Sequence, residues 1–339
     1  MSVGTSGRAR LLLWPGLAAV PVLVLAGCTF RGPQSSLEPV SDLAREILHV
    51  YGIITWAAVA IFILVAAVLV QALARFRERP GAPLPRQVRG HTLLEIGWTI
   101  APAIVLLIIA IPTIEVVFRT QGVPPPGALE VSVRARQWWW EFYYPEYKLT
   151  TANEVHVPAG KPVVLRMDEG DVIHSFWVPR LGGKRDVVPG RHNSLAFTAE
   201  TPGEYLGQCA EFCGTSHANM RLRLIVQAKE DFERWVAAQR APAVQPQDGA
   251  AADGATVFAA NACVGCHTVR GVSSGVVGPD LTHFGSRTTL GAGLLPNTIE
   301  NLTAWIRDPG HIKPGVKMPA LGLTEAQARS VATYLLALR

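Results

Sequence analysis

From Cys209 to Met220 the chain reads Cys-Ala-Glu-Phe-Cys-Gly-Thr-Ser-His-Ala-Asn-Met, so two thiols, an imidazole and a thioether share twelve residues. A further imidazole lies upstream in Asp171-Val172-Ile173-His174-Ser175-Phe176. Thiolate and thioether are soft donors, and imidazole suits copper. A zinc site rarely recruits Met, and a mononuclear blue-copper site uses one Cys. A disulfide between Cys209 and Cys213 would leave the flanking His and Met unexplained. Two Cys, two His and a Met point instead to two coppers bridged by both sulfurs.

A second cluster, Cys263-Val264-Gly265-Cys266-His267, is the attachment signature of c-type haem. Alone, this spacing also fits a redox or zinc motif. Here it follows a short helical stretch and precedes Gly278-Pro279-Asp280-Leu281 and Lys317-Met318-Pro319. Two thioethers would tether the porphyrin, with His267 as proximal ligand. The segment resembles small class I cytochromes c, and that resemblance implies Met318, 51 residues beyond His267, as the axial thioether, with His311 and His283 as its rivals. His/Met ligation raises the potential, as an electron carrier needs.

The elements that must position these groups follow from patterning. The chain has 339 residues, 49% of them apolar and 17% charged, with a formal charge of +5. That allows two or three domains and leans towards the membrane. No basic face with interleaved aromatics is visible, which argues against a nucleic-acid partner. Cys28, Cys209, Cys213, Cys263 and Cys266 are an odd set, against a simple disulfide framework.

Residues 1–27 read as a lipoprotein-type signal peptide. Arg8 and Arg10 precede an apolar core, and Leu25-Ala26-Gly27-Cys28 resembles a bacterial lipobox that would lipidate Cys28. Within 28–118, apolar runs at about 50–74 and 93–118 are each long enough to cross a bilayer core of ~30 Å. The loop between them carries Arg75, Arg77, Arg79, Arg86 and Arg89 against the single acid Glu78. The positive-inside rule makes that loop cytoplasmic and both chain ends external.

From 129 the texture becomes short alternating strands between Gly and Pro turns, as in Val155-His156-Val157 and Pro162-Val163-Val164-Leu165. A Greek-key sandwich over 119–240 is expected, closed by a helix at 229–239. Residues 241–252, rich in Ala, Pro and Gln, read as a linker. A helical domain over 253–339 ends in a helix that Thr324 and Gln327 open as a capping box.

Asp171 to Asn193 and Pro202 to Met220 resemble the CuA domain of cytochrome oxidase subunit II, a match covering about 29–240. The resemblance implies a cupredoxin-like sandwich with copper held by His174, Cys209, Cys213, His217 and Met220, and by the backbone carbonyl of Glu211. The Glu211 side chain would help hold a magnesium ion against subunit I. Trp138, in the aromatic run Gln137 to Tyr144, matches a tryptophan over the copper site where electrons enter. Glu95, in His91 to Thr99, matches a carboxylate at the mouth of a proton pathway. Near the membrane edge it is equally a solvated interfacial acid. The C-terminal domain resembles all-α class I cytochromes c, in which Pro279 orients His267 through its carbonyl. Trp305 to Met318 is similar to the fused cytochromes of caa-type oxidases.

The expectation is a multidomain membrane protein: a two-helix transmembrane hairpin, a copper sandwich and a cytochrome. It would be the electron-input subunit of a respiratory cytochrome c oxidase in a bacterial cell membrane, with its metal domains on the outer face. Its partners would be membrane lipid, subunit I, subunit III, and a donor that is a cytochrome c or a cytochrome bc complex. Oxygen reduction and proton translocation would belong to subunit I. The rivals are the input subunit of a copper-containing nitric oxide reductase and a stand-alone membrane-anchored carrier.

Overall fold

The structure, a computed structural model, describes residues 31–77, 80, 81, 83, 87–120 and 125–339. The signal segment, Cys28, and Glu78, Arg79 and Arg86 of the basic loop lie outside the described residues.

Two helices, α1 (Asp42–Arg75) and α2 (Thr92–Thr120), are long and apolar enough to cross a membrane. No residue of α2 is buried. An apolar surface left open all round fits lipid and a partner subunit, not water. At ~1.5 Å per residue, the 34 residues of α1 run to about 51 Å, well past a ~30 Å core. The excess explains a start earlier than position 50. Ser41 caps the helix by accepting from Ala44 N at 3.0 Å and donates its own hydroxyl to Leu181 O at 2.6 Å. Leu43 and Ala44 are buried against the extramembrane domain, and Asp42 Oδ1 accepts from Thr198 N at 2.7 Å. The first turns of α1 are thus a root in the sandwich and not part of the span.

Ten strands form that sandwich. They are β1 (Leu129–Arg136), β2 (Trp139–Tyr144), β3 (Leu149–Ala152), β4 (Glu154–Pro158), β5 (Pro162–Gly170), β6 (His174–Trp177), β7 (Arg185–Val187), β8 (Asn193–Thr198), β9 (Gly203–Cys209) and β10 (Arg221–Gln227). One sheet runs β3-β2-β1-β5-β8 and the other β4-β10-β9-β6-β7, with parallel pairs β1/β5 and β4/β10. The aromatic run obeys the strand period of two. Trp140, Phe142 and Tyr144 point into the core, where Phe176 meets Trp140 and Phe142 edge-on at 5.8 and 6.3 Å. Trp139, Glu141 and Tyr143 face outwards. Helix α3 (Lys229–Arg240) closes one end, burying Phe232 and stacking Trp235 on His156 at 4.1 Å.

The C-terminal domain has its own core. Helix α4 (Gly249–Ala260) crosses the last helix, α8 (Glu325–Ala337), closely enough that a Cβ on Gly254 would lie 1.9 Å from the Ser330 carbonyl. Phe258 and Tyr334 pack at 5.6 Å across that crossing. Between them come α5 (Cys263–Cys266), α6 (Ile299–Arg307), α7 (Pro309–Ile312) and two minor two-residue ladders. The expected capping box at Thr324 and Gln327 forms.

The stretch read as linker is tied down. Ala243 is buried in the C-terminal core, Tyr334 Oη donates to Gln245 Oε1 at 3.1 Å, and α4 already begins at Gly249. Composition suggested a free tether, but small residues also suit a strap pressed against a domain surface.

Candidate metal and haem sites

Four loops and strand ends converge at one corner of the sandwich. His174 opens β6, Cys209 ends β9, and Met220 directly precedes β10. Cys213 and His217 lie on the loop between β9 and β10. Backbone bonds hold the loop: Cys209 N to Met220 O at 2.8 Å, Met220 N to His217 O at 3.1 Å, and Ala210 N to Ser175 O at 2.9 Å. The ligand positions are therefore set by the sheet ladder before any metal binds.

The two sulfurs lie 3.8 Å apart, far beyond the ~2.05 Å of a disulfide. That span is what two thiolates at ~2.3 Å from one shared metal subtend near the tetrahedral angle. Cys209 Sγ lies 3.9 Å from His174 Nδ1, and Cys213 Sγ lies 3.5 Å from His217 Nδ1 and 4.0 Å from Met220 Sδ. The Glu211 carbonyl is 3.3 Å from Cys209 Sγ. Each sulfur thus has its own imidazole, with a thioether on one side and a carbonyl on the other. His174, Cys209, Cys213 and Met220 are buried, and His217 is half-buried. The donor set fits a shared copper pair. A hydrogen bond from Cys213 drives the Cys209 thiol far towards the thiolate and pushes Cys213 the other way.

Sequence reasoning missed the groups that brace this site. Asp171 Oδ1 takes the Nε2 proton of His174 at 2.8 Å, which leaves Nδ1 facing the sulfurs. An Asp three residues before a ligand His was the available signal. Asp171 Oδ2 also accepts from Gln137 N at 2.9 Å and lies 3.4 Å from Lys317 Nζ. Gln137 Nε2 and Trp138 Nε1 both donate to the Cys213 carbonyl, at 2.7 and 3.0 Å. Trp138 is thus bonded to the backbone of Cys213, one of the candidate ligands. It is only 6% exposed, however, because the C-terminal domain covers it and takes the place of an open entry surface. A Cβ on Gly315 would lie 3.0 Å from the Trp138 ring, and Ser216 Oγ donates to Pro314 O at 2.6 Å.

In the C-terminal domain Cys263 and Cys266 lie half-buried beside His267 and form no disulfide. His267 Nδ1 lies 2.9 Å from Pro279 O. A carbonyl only accepts, so Nδ1 carries the proton and Nε2 keeps the lone pair that iron needs. Burial holds this imidazole neutral by pushing its pKa down. Gly278 lies flat on the His267 ring, and Gly275 lies on the backbone of Cys266 and His267, so both are positions where a side chain would collide. The residues fit an attached haem. Met318 is half-buried on the loop after α7 that also carries Lys313 and Lys317. Of the two rivals, His283 is buried against Arg270 and the Ala241 carbonyl, and His311 is exposed in a turn whose backbone Asp308 caps.

Two further site residues have local roles. Glu211 places its carboxylate 3.4 Å from Lys184 Nζ. Glu95 lies in the first turn of α2 and accepts from His91 N at 3.3 Å.

Family models for the transmembrane domain of cytochrome c oxidase subunit II, its periplasmic domain and cytochrome c match residues 36–116, 147–228 and 251–339. Cytochrome c oxidase subunit 2 of Alkalihalophilus pseudofirmus is 39% identical over 326 residues, 94% of each chain. The chain belongs to the cytochrome c oxidase subunit II family. It combines that family's transmembrane and copper domains with a fused cytochrome c domain, as a subunit of an oxidoreductase complex anchored in the membrane by a two-span hairpin. The Bacillus subtilis subunit 2 is 32% identical over 97% of this chain and 98% of its own. A quinol oxidase subunit 2 of Bacillus cereus is 32% identical over 63% of this chain. Among solved structures, the periplasmic domain of Bradyrhizobium japonicum oxidase subunit II is 31% identical and covers 35% of this chain and 97% of its own, with a TM-score of 0.34.

Proposed function

We propose that this chain carries electrons from an external cytochrome donor through its own haem c to its copper pair, and on to subunit I for reduction of oxygen to water. The reading rests above all on one contact. The loop that leads to Met318 lies on Trp138, and Trp138 donates to the carbonyl of the copper ligand Cys213. When bound, the two centres supply one-electron redox chemistry. The chain's residues would hold them in braced positions and shield the copper sulfurs from water. His174, Cys209, Glu211, Cys213, His217 and Met220 would hold copper. Cys263 and Cys266 would attach the haem covalently, with His267 and Met318 as its ligands. Burial of both sulfurs and a braced imidazole favour fast transfer, because little rearranges when the charge changes.

The finer reading includes a signal peptide that ends at a lipidated Cys28 and metal domains on the outer face of a bacterial membrane. It also includes a magnesium ion at Glu211, a proton-pathway role for Glu95 serving proton translocation by subunit I, and contact with subunit III. The spectrum of the complex purified through this chain tests the main claim. Haem c and haem a bands with oxygen uptake support it. Haem c with b-type haem and nitric oxide turnover would favour the reductase, and haem c alone a stand-alone carrier.

A further inference from the structure

The electron route just proposed needs the cytochrome domain to sit in one register on the copper domain, and one side chain at that junction has no other evident use. Lys313 is 2% exposed, yet among the described residues its ammonium meets backbone carbonyls and forms no ion pair. Its Nζ donates to Trp138 O at 2.6 Å and to Gly291 O at 3.0 Å. It thus ties two loops of the cytochrome domain to the backbone of the residue beside the copper ligands. Taking an ammonium out of water is costly unless carbonyl dipoles replace its hydration. Such a group marks a junction that stays closed and does not form by repeated encounters.

A second contact holds the same junction at a distance from Trp138. Glu154, 2% exposed at the start of β4, accepts at Oε1 from the amides of Thr288 and Thr289, both at 2.9 Å, and from their hydroxyls at 2.9 and 3.1 Å. With Glu154 keeping the domains together, loss of the Lys313 contact would alter register at Trp138 without releasing the cytochrome.

We propose that Lys313 is a positioning residue for haem-to-copper electron transfer, fixing the Met318 loop on Trp138 by bonding that residue's carbonyl. The proposal rests on the electron route above. In Lys313→Met the carbonyls of Trp138 and Gly291 lose a donor, a loss that shifts the register equilibrium roughly 10- to 100-fold. The Lys313→Gln variant keeps one donor group and falls between.

The test uses the full chain in its complex, with two readouts. Oxidative footprinting of Trp138 by mass spectrometry needs no turnover, and labelling rises several-fold in Lys313→Met and less in Lys313→Gln. Flash-induced transfer from haem c to copper slows at least tenfold in Lys313→Met. Copper content and haem attachment stay at wild-type levels, so the loss lies in transfer and not in loading of the two centres. Either variant with both centres intact, wild-type labelling and wild-type transfer overturns the role of Lys313. Absence of haem-to-copper transfer in the wild type would instead overturn the electron route and this inference with it.

Discussion

Replacing Gly278 by Ala tests whether His267 is held as described. The new Cβ would lie 2.5 Å from His267 Cε1, 2.8 Å from Nδ1 and 3.0 Å from Nε2. Unbonded carbons rest at ~3.5 Å or more, so the ring or the Gly278 backbone must yield by about 1 Å. A shift of that size breaks the 2.9 Å bond to Pro279 O. Overpacking costs about 1–3 kcal/mol and a lost neutral hydrogen bond about 1 kcal/mol, together about 2–4 kcal/mol. For a domain of this size that is a drop of roughly 10–25 °C in melting temperature. The assay is thermal unfolding of the haem-loaded protein followed at the haem band. Gly265→Ala is the control, because a Cβ there meets nothing within 4 Å although it lies inside the same attachment motif. The reasoning is refuted if Gly278→Ala and Gly265→Ala melt within about 2 °C of each other.

Glu154→Ala leaves the Thr288 and Thr289 amides without their acceptor and costs about 3 kcal/mol of domain docking. Calorimetry should then resolve separate melting of the two domains, and an unchanged single transition would count against the clamp. Burial presses the His156 imidazole down to about 4 from an ordinary 6.5, helped by the nearby Arg287 charge. The unfolded chain takes up that proton first, so stability is full above about pH 6.5 and falls by up to about 3 kcal/mol as pH drops towards 4. His156→Phe should flatten that slope in denaturant titrations at a series of pH values, and an equal slope in both proteins would exclude His156 as its source. Cys213→Ser removes one of the two sulfurs that would hold the copper pair. Copper per haem should fall by at least half with haem attachment intact, and full copper retention would argue against a shared pair.

Most of the candidate donors were legible because they are local in the chain. Cys209, Cys213, His217 and Met220 lie on one loop, and Cys263, Cys266 and His267 on one turn, so spacing alone carries the geometry. Which rings of the Gln137 to Tyr144 run turn inwards was not read from the sequence, although the strand period of two sorts them. What stayed hidden depends on residues distant in the chain. Lys313 meets Trp138 across 175 positions, and Glu154 meets Thr288 across 134. Neither has a periodic or compositional signature, because a lone Lys or Glu reads as a solvated surface charge. The early start of α1 was hidden for a related reason. Its first turns carry Asp42, Arg45, Glu46 and His49 and so read as lying outside the span, yet they continue the same helix and bury Leu43 and Ala44 in the sandwich.

The central claim is that electrons reach the copper pair through this chain's own haem. Stopped-flow reduction of the purified complex by a cytochrome donor, watched at the haem c and copper bands together, tests it most directly. The account predicts that haem c is reduced first and the copper band follows at the rate of haem c reoxidation. Copper that is reduced before haem c, or at full speed in a variant lacking His267, would contradict it.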